Sequence, residues 1–172
     1  MSTTAIERRT AAPTRWTVDR DGSSVEFAVK TFWGVTTVRG RFDRFQGWYD
    51  SAPDGRAIDL TIDADSLDTG NRMRDRHLRS DDFFHVDEHP YVRFTSTRVH
   101  DVGRGILHVV GRLEAAGSSV LLEFPATVRT VGAGLEIEAS TTLDQRRLGM
   151  SSGQLGMIRQ PATLHVKARL SR

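Results

Sequence analysis

Leu135-Glu136-Ile137-Glu138-Ala139-Ser140-Thr141-Thr142-Leu143 decides the fold. Leu135, Ile137, Ala139, Thr141 and Leu143 share one parity, and Glu136, Glu138, Ser140 and Thr142 the other. A two-residue period with one dry face is a half-buried strand. The pattern recurs on both sides. Upstream, Leu107, Val109, Gly111 and Leu113 alternate with His108, Val110 and Arg112, and Val120, Leu122 and Phe124 follow the small residues Gly117-Ser118-Ser119. Earlier still come Val25, Phe27 and Val29, then Val38, Gly40 and Phe42, then Ile58, Leu60 and Ile62, then Val92 and Phe94. Downstream, Leu164, Val166, Ala168 and Leu170 run to the C-terminus. These make eight strands, with Trp16-Thr17-Val18-Asp19 as a candidate ninth. Ala52-Pro53-Asp54-Gly55, Gly103-Arg104-Gly105 and Gly132-Ala133-Gly134 read as turns between them.

One-sided alternation in consecutive strands implies antiparallel pairing. The dry faces need a cover, and few helices are available. Closing the sheet on itself covers them and removes its edges. The expected fold is all-β, an eight-stranded antiparallel barrel, whose interior is either packed or holds one small ligand. The exception is the Arg-rich stretch around residues 71–84, with Met73, Arg76, His77 and Leu78. It lacks β-branched residues and suits one or two helical turns before Pro90 forces extended geometry at His89.

The chain has 172 residues, 38% of them hydrophobic. That supports one core, and residues 15–172 read as a single domain after a disordered lead-in over 1–14. No stretch approaches the roughly 18 apolar residues of a membrane span. The 24 basic and 22 acidic residues nearly balance and are interspersed, so no nucleic-acid stripe is present. There are no cysteines, which excludes disulfides, thiolate zinc sites and Cys nucleophiles. The polar residues 1–15 carry no apolar run of a secretory signal, so the chain as it stands reads as cytoplasmic.

Few constellations carry chemistry. His77, His85 and His89 stand near Asp81, Asp82, Asp87 and Glu88, and imidazole with carboxylate can ligate a metal. Their spacing fits no standard zinc pattern, and no expected helix holds two of them at i, i+4. They are read as local hydrogen-bonding groups, with no metal expected. The run from Asp63 to Gly70 departs from a calcium loop, with Leu67 at a ligand position and Arg74 where the bidentate acid belongs. It reads as a strand end and a turn, with carboxylates capping the next helix. There is no Gly-x-Ser-x-Gly elbow and no phosphate-binding glycine loop, and no catalytic residue is assigned. Arg72, Arg74, Arg76 and Arg79 form either a solvated helix face or, at a barrel mouth, a contact for a polar headgroup.

The motifs taken in order resemble the YceI-like family. They are Ser23-Ser24-Val25-Glu26-Phe27-Ala28-Val29-Lys30, Val38-Arg39-Gly40-Arg41-Phe42-Asp43 and Asp65-Ser66-Leu67-Asp68-Thr69-Gly70. Arg76-His77-Leu78, Asp82-Phe83-Phe84, His89-Pro90, Gly111-Arg112-Leu113 and Leu148-Gly149-Met150 come after them. The resemblance spans about residues 16 to 170. It implies a lipocalin-like barrel that holds a polyisoprenoid or isoprenoid-quinone tail inside, acting as a carrier without catalysis or a cofactor. Relatives often pair as dimers, so a homodimer is a further implication. The family commonly has His where this chain has Gly22 and Thr31, and Arg where it has Gln145.

Parity then assigns the ligand-facing interior: Val25, Phe27, Val29, Val38, Gly40, Phe42, Leu60, Ile62, Phe94, Leu107, Val109, Gly111, Leu122, Phe124, Ile137, Ala139 and Val166. Gly40, Gly111, Ala139 and Ala168 are expected to leave room along the wall. Thr31, Arg76, His77 and Gln145 are the candidate headgroup contacts. Burying an isoprene unit gains roughly 4 kcal/mol gross, so four or five units would reach the affinity ceiling of about 18 to 21 kcal/mol. Two alternatives remain: an enzyme using the same apolar cavity, or a ligand-free, stress-linked interaction protein with a packed barrel.

Overall fold

The alternating segments pair into a ring. The computed structural model describes residues 15–31, 36–150 and 161–172; the lead-in expected over 1–14 lies outside them. The strands are β1 (Arg15–Thr31), β2 (Thr36–Phe42), β3 (Phe45–Asp50), β4 (Ala57–Asp63), β5 (Leu67–Asp68), β6 (Tyr91–Gly103), β7 (Ile106–Ala115), β8 (Ser118–Val131), β9 (Gly134–Leu143) and β10 (Ala162–Ser171). One helix, α1 (Arg72–Arg79), lies between β5 and β6. Neighbours run β10-β9-β8-β7-β6-β4-β3-β1, and β1 pairs back onto β10. Both β2 and β3 lie along β1, with Phe42 opposite Val25 and Trp48 opposite Thr17. They act as one bent stave, so the closed barrel has eight staves, all antiparallel. The two-residue β5 adds to the outer side of β2.

The sequence reading missed two features. Trp16 to Asp19 is no separate strand. It is the start of β1, joined to the rest through an irregularity between Asp19 and Ser24. Phe45 to Asp50 is a strand in its own right, with Phe45, Gly47 and Tyr49 buried on alternate positions. Gly47 hid the pattern: a Cβ there would stand 2.6 Å from the Asp59 carbonyl oxygen. The glycine marks a close strand-to-strand approach rather than a break.

The hairpin turns at 103–105 and 131–134, with the ends of β1 and β10, define one end of the barrel. That end is packed shut. Leu107 and Val109 are essentially inaccessible, and Leu170 and Tyr49 nearly so. Trp16 closes the rim, donating from Nε1 to Ser51 Oγ at 3.3 Å, with the Arg172 guanidinium 4.4 Å over its ring.

The opposite end is roofed by α1 and the turn after it. Asn71 caps the helix by accepting from Arg74 N at 3.0 Å. The buried Asp75 carboxylate accepts from Thr69 N at 3.0 Å. Arg79 ties the helix end to the carbonyl oxygens of Asp65 and Leu67. The Asp63 and Asp68 carboxylates accept from the amides of Asp65 and Gly70, at 3.0 and 2.8 Å.

Ion pairs link neighbouring staves outside. Arg93 meets Asp59 at 3.1 Å, Lys167 meets Glu136 at 3.6 Å, and Arg129 pairs with the same Glu136. The Arg129 hydrogen bonds hold the Glu136 carboxyl below the ordinary carboxylate range, as Arg44 does for Asp63. Such groups add stability above the ordinary carboxylate pKa, and that contribution is lost as pH falls through their lowered values.

Candidate functional site: an apolar cavity inside the barrel

The inward residues of the staves do not meet in the middle. They leave a cavity of about 220 Å³ whose wall is almost wholly apolar. A wall of this kind excludes water unless polar partners are present. Val25, Phe27, Val29, Phe42, Leu60, Ile62, Phe94, Leu122, Phe124, Ile137, Ala139 and Val166 all border it, as parity indicates. Ile58, Leu164 and Ala168 do so as well. Aromatic rings line it in contact: Phe27 to Phe42 at 5.7 Å, Phe42 to Phe84 at 5.8 Å, and Phe94 to Phe124 at 5.5 Å between centroids.

Five interior positions do not border the cavity, each for a physical reason. Leu107 and Val109 have the right parity but lie in the packed end, where neighbours fill all the space. Val38 sits on the half-exposed part of β2 beyond the pairing with β5. Gly40 and Gly111 leave no room for a ligand. A Cβ on Gly40 would lie 2.3 Å from the Phe27 ring, and one on Gly111 2.4 Å from the Phe94 ring. Each glycine leaves the space that a neighbouring phenylalanine ring occupies. The rings, not the glycines, face the lumen. Ala139 and Ala168 do border the cavity, as do Ala115, Ala126 and Ala162.

The candidate headgroup contacts separate. Gln145 is buried and borders the cavity near its roofed end, together with Thr141. His77 does not border it; its ring packs edge-on against Phe83 at 5.1 Å, and Phe83 forms part of the wall. Arg76 is exposed on α1 and faces a separate surface cleft with Arg44, Asp65, Asp68 and Arg72. The Thr31 side chain lies outside the described residues. Gly22 sits beside Arg169 in the β1 irregularity, away from the cavity.

Sequence reasoning missed the roof. Leu78, Phe83 and Phe84, from α1 and the turn after it, border the cavity, as do Leu148 and Met150 after β9. The adjacent pair Phe83-Phe84 in a polar stretch was the available signal. At the packed end Trp48 and Tyr49 complete the wall. Burial pushes the Tyr49 phenol above its ordinary range against an opposing hydrogen bond with Arg56, so it stays neutral. Asp59 and Glu26 also touch the cavity. The Asp59 carboxylate, however, accepts from Arg93 at 3.1 Å and Thr95 at 3.2 Å, and Glu26 is exposed. Among the described residues no histidine, serine or lysine borders the cavity.

Comparisons with known proteins fit this geometry. The pattern of the YceI-like domain matches residues 16–170. A UPF0312 protein of Shewanella baltica is 32% identical over 173 residues, covering 93% of this chain and 86% of its own. One of Shewanella denitrificans is 36% identical over 127 residues, covering 69% of this chain and 63% of its own. Among solved structures, Burkholderia cenocepacia BcnA superposes with a TM-score of 0.77 at 21% identity, over 89% of this chain and 98% of its own. A polyisoprenoid binding domain from Saccharophagus degradans, implicated in plant cell wall breakdown, gives 0.76 at 17%, over 91% and 97%. At these identities the two structures show a shared fold.

Proposed function

Because the chain belongs to the YceI-like family, we propose that it is a non-catalytic carrier that holds the isoprenoid tail of a lipid or quinone in its barrel. The observation that carries this reading is the apolar cavity of about 220 Å³. A wall of Phe, Leu, Ile, Val and Ala suits branched hydrocarbon and offers ordered water few partners. The polyisoprenoid-binding neighbour of the same fold supports the same ligand class.

Size sets the scale. A cavity of about 150 Å³ takes benzene. By proportion this one takes about nine or ten carbons, or two isoprene units. Their burial is worth about 8 kcal/mol gross, a micromolar dissociation constant before ordering costs. That is weaker than the four or five units counted from sequence alone, and it suits a carrier that must release its load. Longer tails need the roof to open or the tail to project past it. Gln145 and Thr141 are the groups placed to meet a polar end.

A displacement titration with prenyl alcohols of five, ten, fifteen and twenty carbons against a fluorescent apolar probe tests this. Affinity rises steeply from five to ten carbons and more slowly beyond. A bound probe that no prenyl alcohol displaces overturns the proposal.

A further inference from the structure

The turn between α1 and β6 holds a cluster that the cavity does not use. The His85 carbonyl accepts from Glu88 N at 3.1 Å and from His89 N at 2.8 Å. That hydrogen-bonded turn brings the side chains of residues 85, 88 and 89 together. Their ligand atoms all lie within 4.8 Å of one another. His85 Nε2 stands 3.9 Å from Glu88 Oε1, and the two imidazole centroids are 5.6 Å apart. The sequence reading passed over the pair because it sought i, i+4 histidines only on a regular helix.

We propose that His85, Glu88 and His89 bind a borderline transition-metal ion of the zinc class. Two imidazoles and a carboxylate are a donor set such ions prefer, whereas calcium and magnesium favour all-oxygen shells. Metal–ligand bonds of about 2.0–2.1 Å place tetrahedral ligands roughly 3.4 Å apart. The cluster therefore needs to contract by up to about 1.4 Å. Exposed Glu88 and half-buried His85 and His89 can supply this by side-chain rotation. Three protein ligands leave the remaining position for water.

The surroundings support a fixed site. His89 rests against Gly117 in the turn joining β7 to β8, where a Cβ would stand 2.7 Å from Nε2. Gly117 has φ +75° and no side chain, so the second hairpin can approach the imidazole closely. His85 itself has φ +48°, a region few non-glycine residues occupy. Phe83 and Phe84, immediately before the cluster, are cavity wall. A bound ion would brace the turn that carries them.

Calorimetric titration of the full, chelator-stripped chain with ZnCl₂ tests the site. Saturable one-site binding is expected. His85→Asn, Glu88→Gln and His89→Gln should each weaken it at least about tenfold. Asn is chosen at position 85 because it tolerates positive φ. Exposed Glu88 keeps the test decisive if a histidine variant folds poorly. Metal-free thermal melts matching the original chain will show that lost binding is not lost folding. Absence of saturable zinc binding overturns the proposal. So does Glu88→Gln or a folded histidine variant that binds as tightly as the original. That outcome would move the ion to another pair, such as His108 with Glu123 at 2.9 Å.

Discussion

Ala139→Phe should empty the barrel without unfolding it. Ala139 lies in the middle of β9, opposite Ala126 on one side and Val166 on the other, and it borders the cavity. A phenyl ring there would point into free space, with small Ala126 beside it to accommodate the change. A benzene-sized group needs about 150 Å³, which is most of the 220 Å³ present. What remains is too small for two isoprene units. Losing the burial of about six carbons costs a ligand roughly 5 kcal/mol, more than a thousandfold in affinity. The ligand-free protein, in contrast, should gain about 0.5–2 kcal/mol from the filled void. Probe binding and thermal melting measured on the same sample separate the two effects. A variant that retains full lipid affinity would place the ligand outside the barrel.

Leu107→Ala should do the reverse. Leu107 is 1% exposed and lies in the packed end, away from the cavity wall. Truncation opens a new void among neighbours that cannot collapse, and such changes cost about 2–5 kcal/mol. With a urea slope of about 1–3 kcal/mol per molar, the unfolding midpoint should drop by about 1 M or more. Lipid stoichiometry at native temperature should not change. A stability loss below about 1 kcal/mol would show a packed end looser than its burial indicates. Loss of bound lipid in a still-folded variant would show that the site extends that far. Together the two variants separate residues that hold the barrel from residues that hold its content.

The division between these residues was only partly legible in the sequence. On β7 the parity held as far as it was read: Leu107, Val109, Gly111 and Leu113 share one face and are all buried, and Ala115, which the reading did not reach, continues that face. Parity says which way a side chain points, not whether another side chain already fills the space ahead of it. That is a tertiary property, and it separates Leu107 from Leu113 on one strand. Glycine misled in three places for the same reason. At Gly47 it hid a strand, and at Gly40 and Gly111 it suggested room that Phe27 and Phe94 occupy. The irregularity between Asp19 and Ser24 kept Trp16 to Asp19 from being joined to the rest of β1, because Arg20-Asp21-Gly22 is turn chemistry within a continuous strand. The roof was least legible. Phe83, Phe84, Leu148 and Met150 come from segments with no period, and only the closed fold brings them over the cavity.

The central claim is that the cavity holds an isoprenoid tail. Native mass spectrometry of freshly purified protein, with organic extraction of whatever is bound, tests it most directly. The account predicts a stoichiometric adduct that extracts as a prenyl lipid or quinone. In protein purified empty, it predicts a mass shift on adding such a lipid. An empty mass that no prenyl lipid shifts would contradict it.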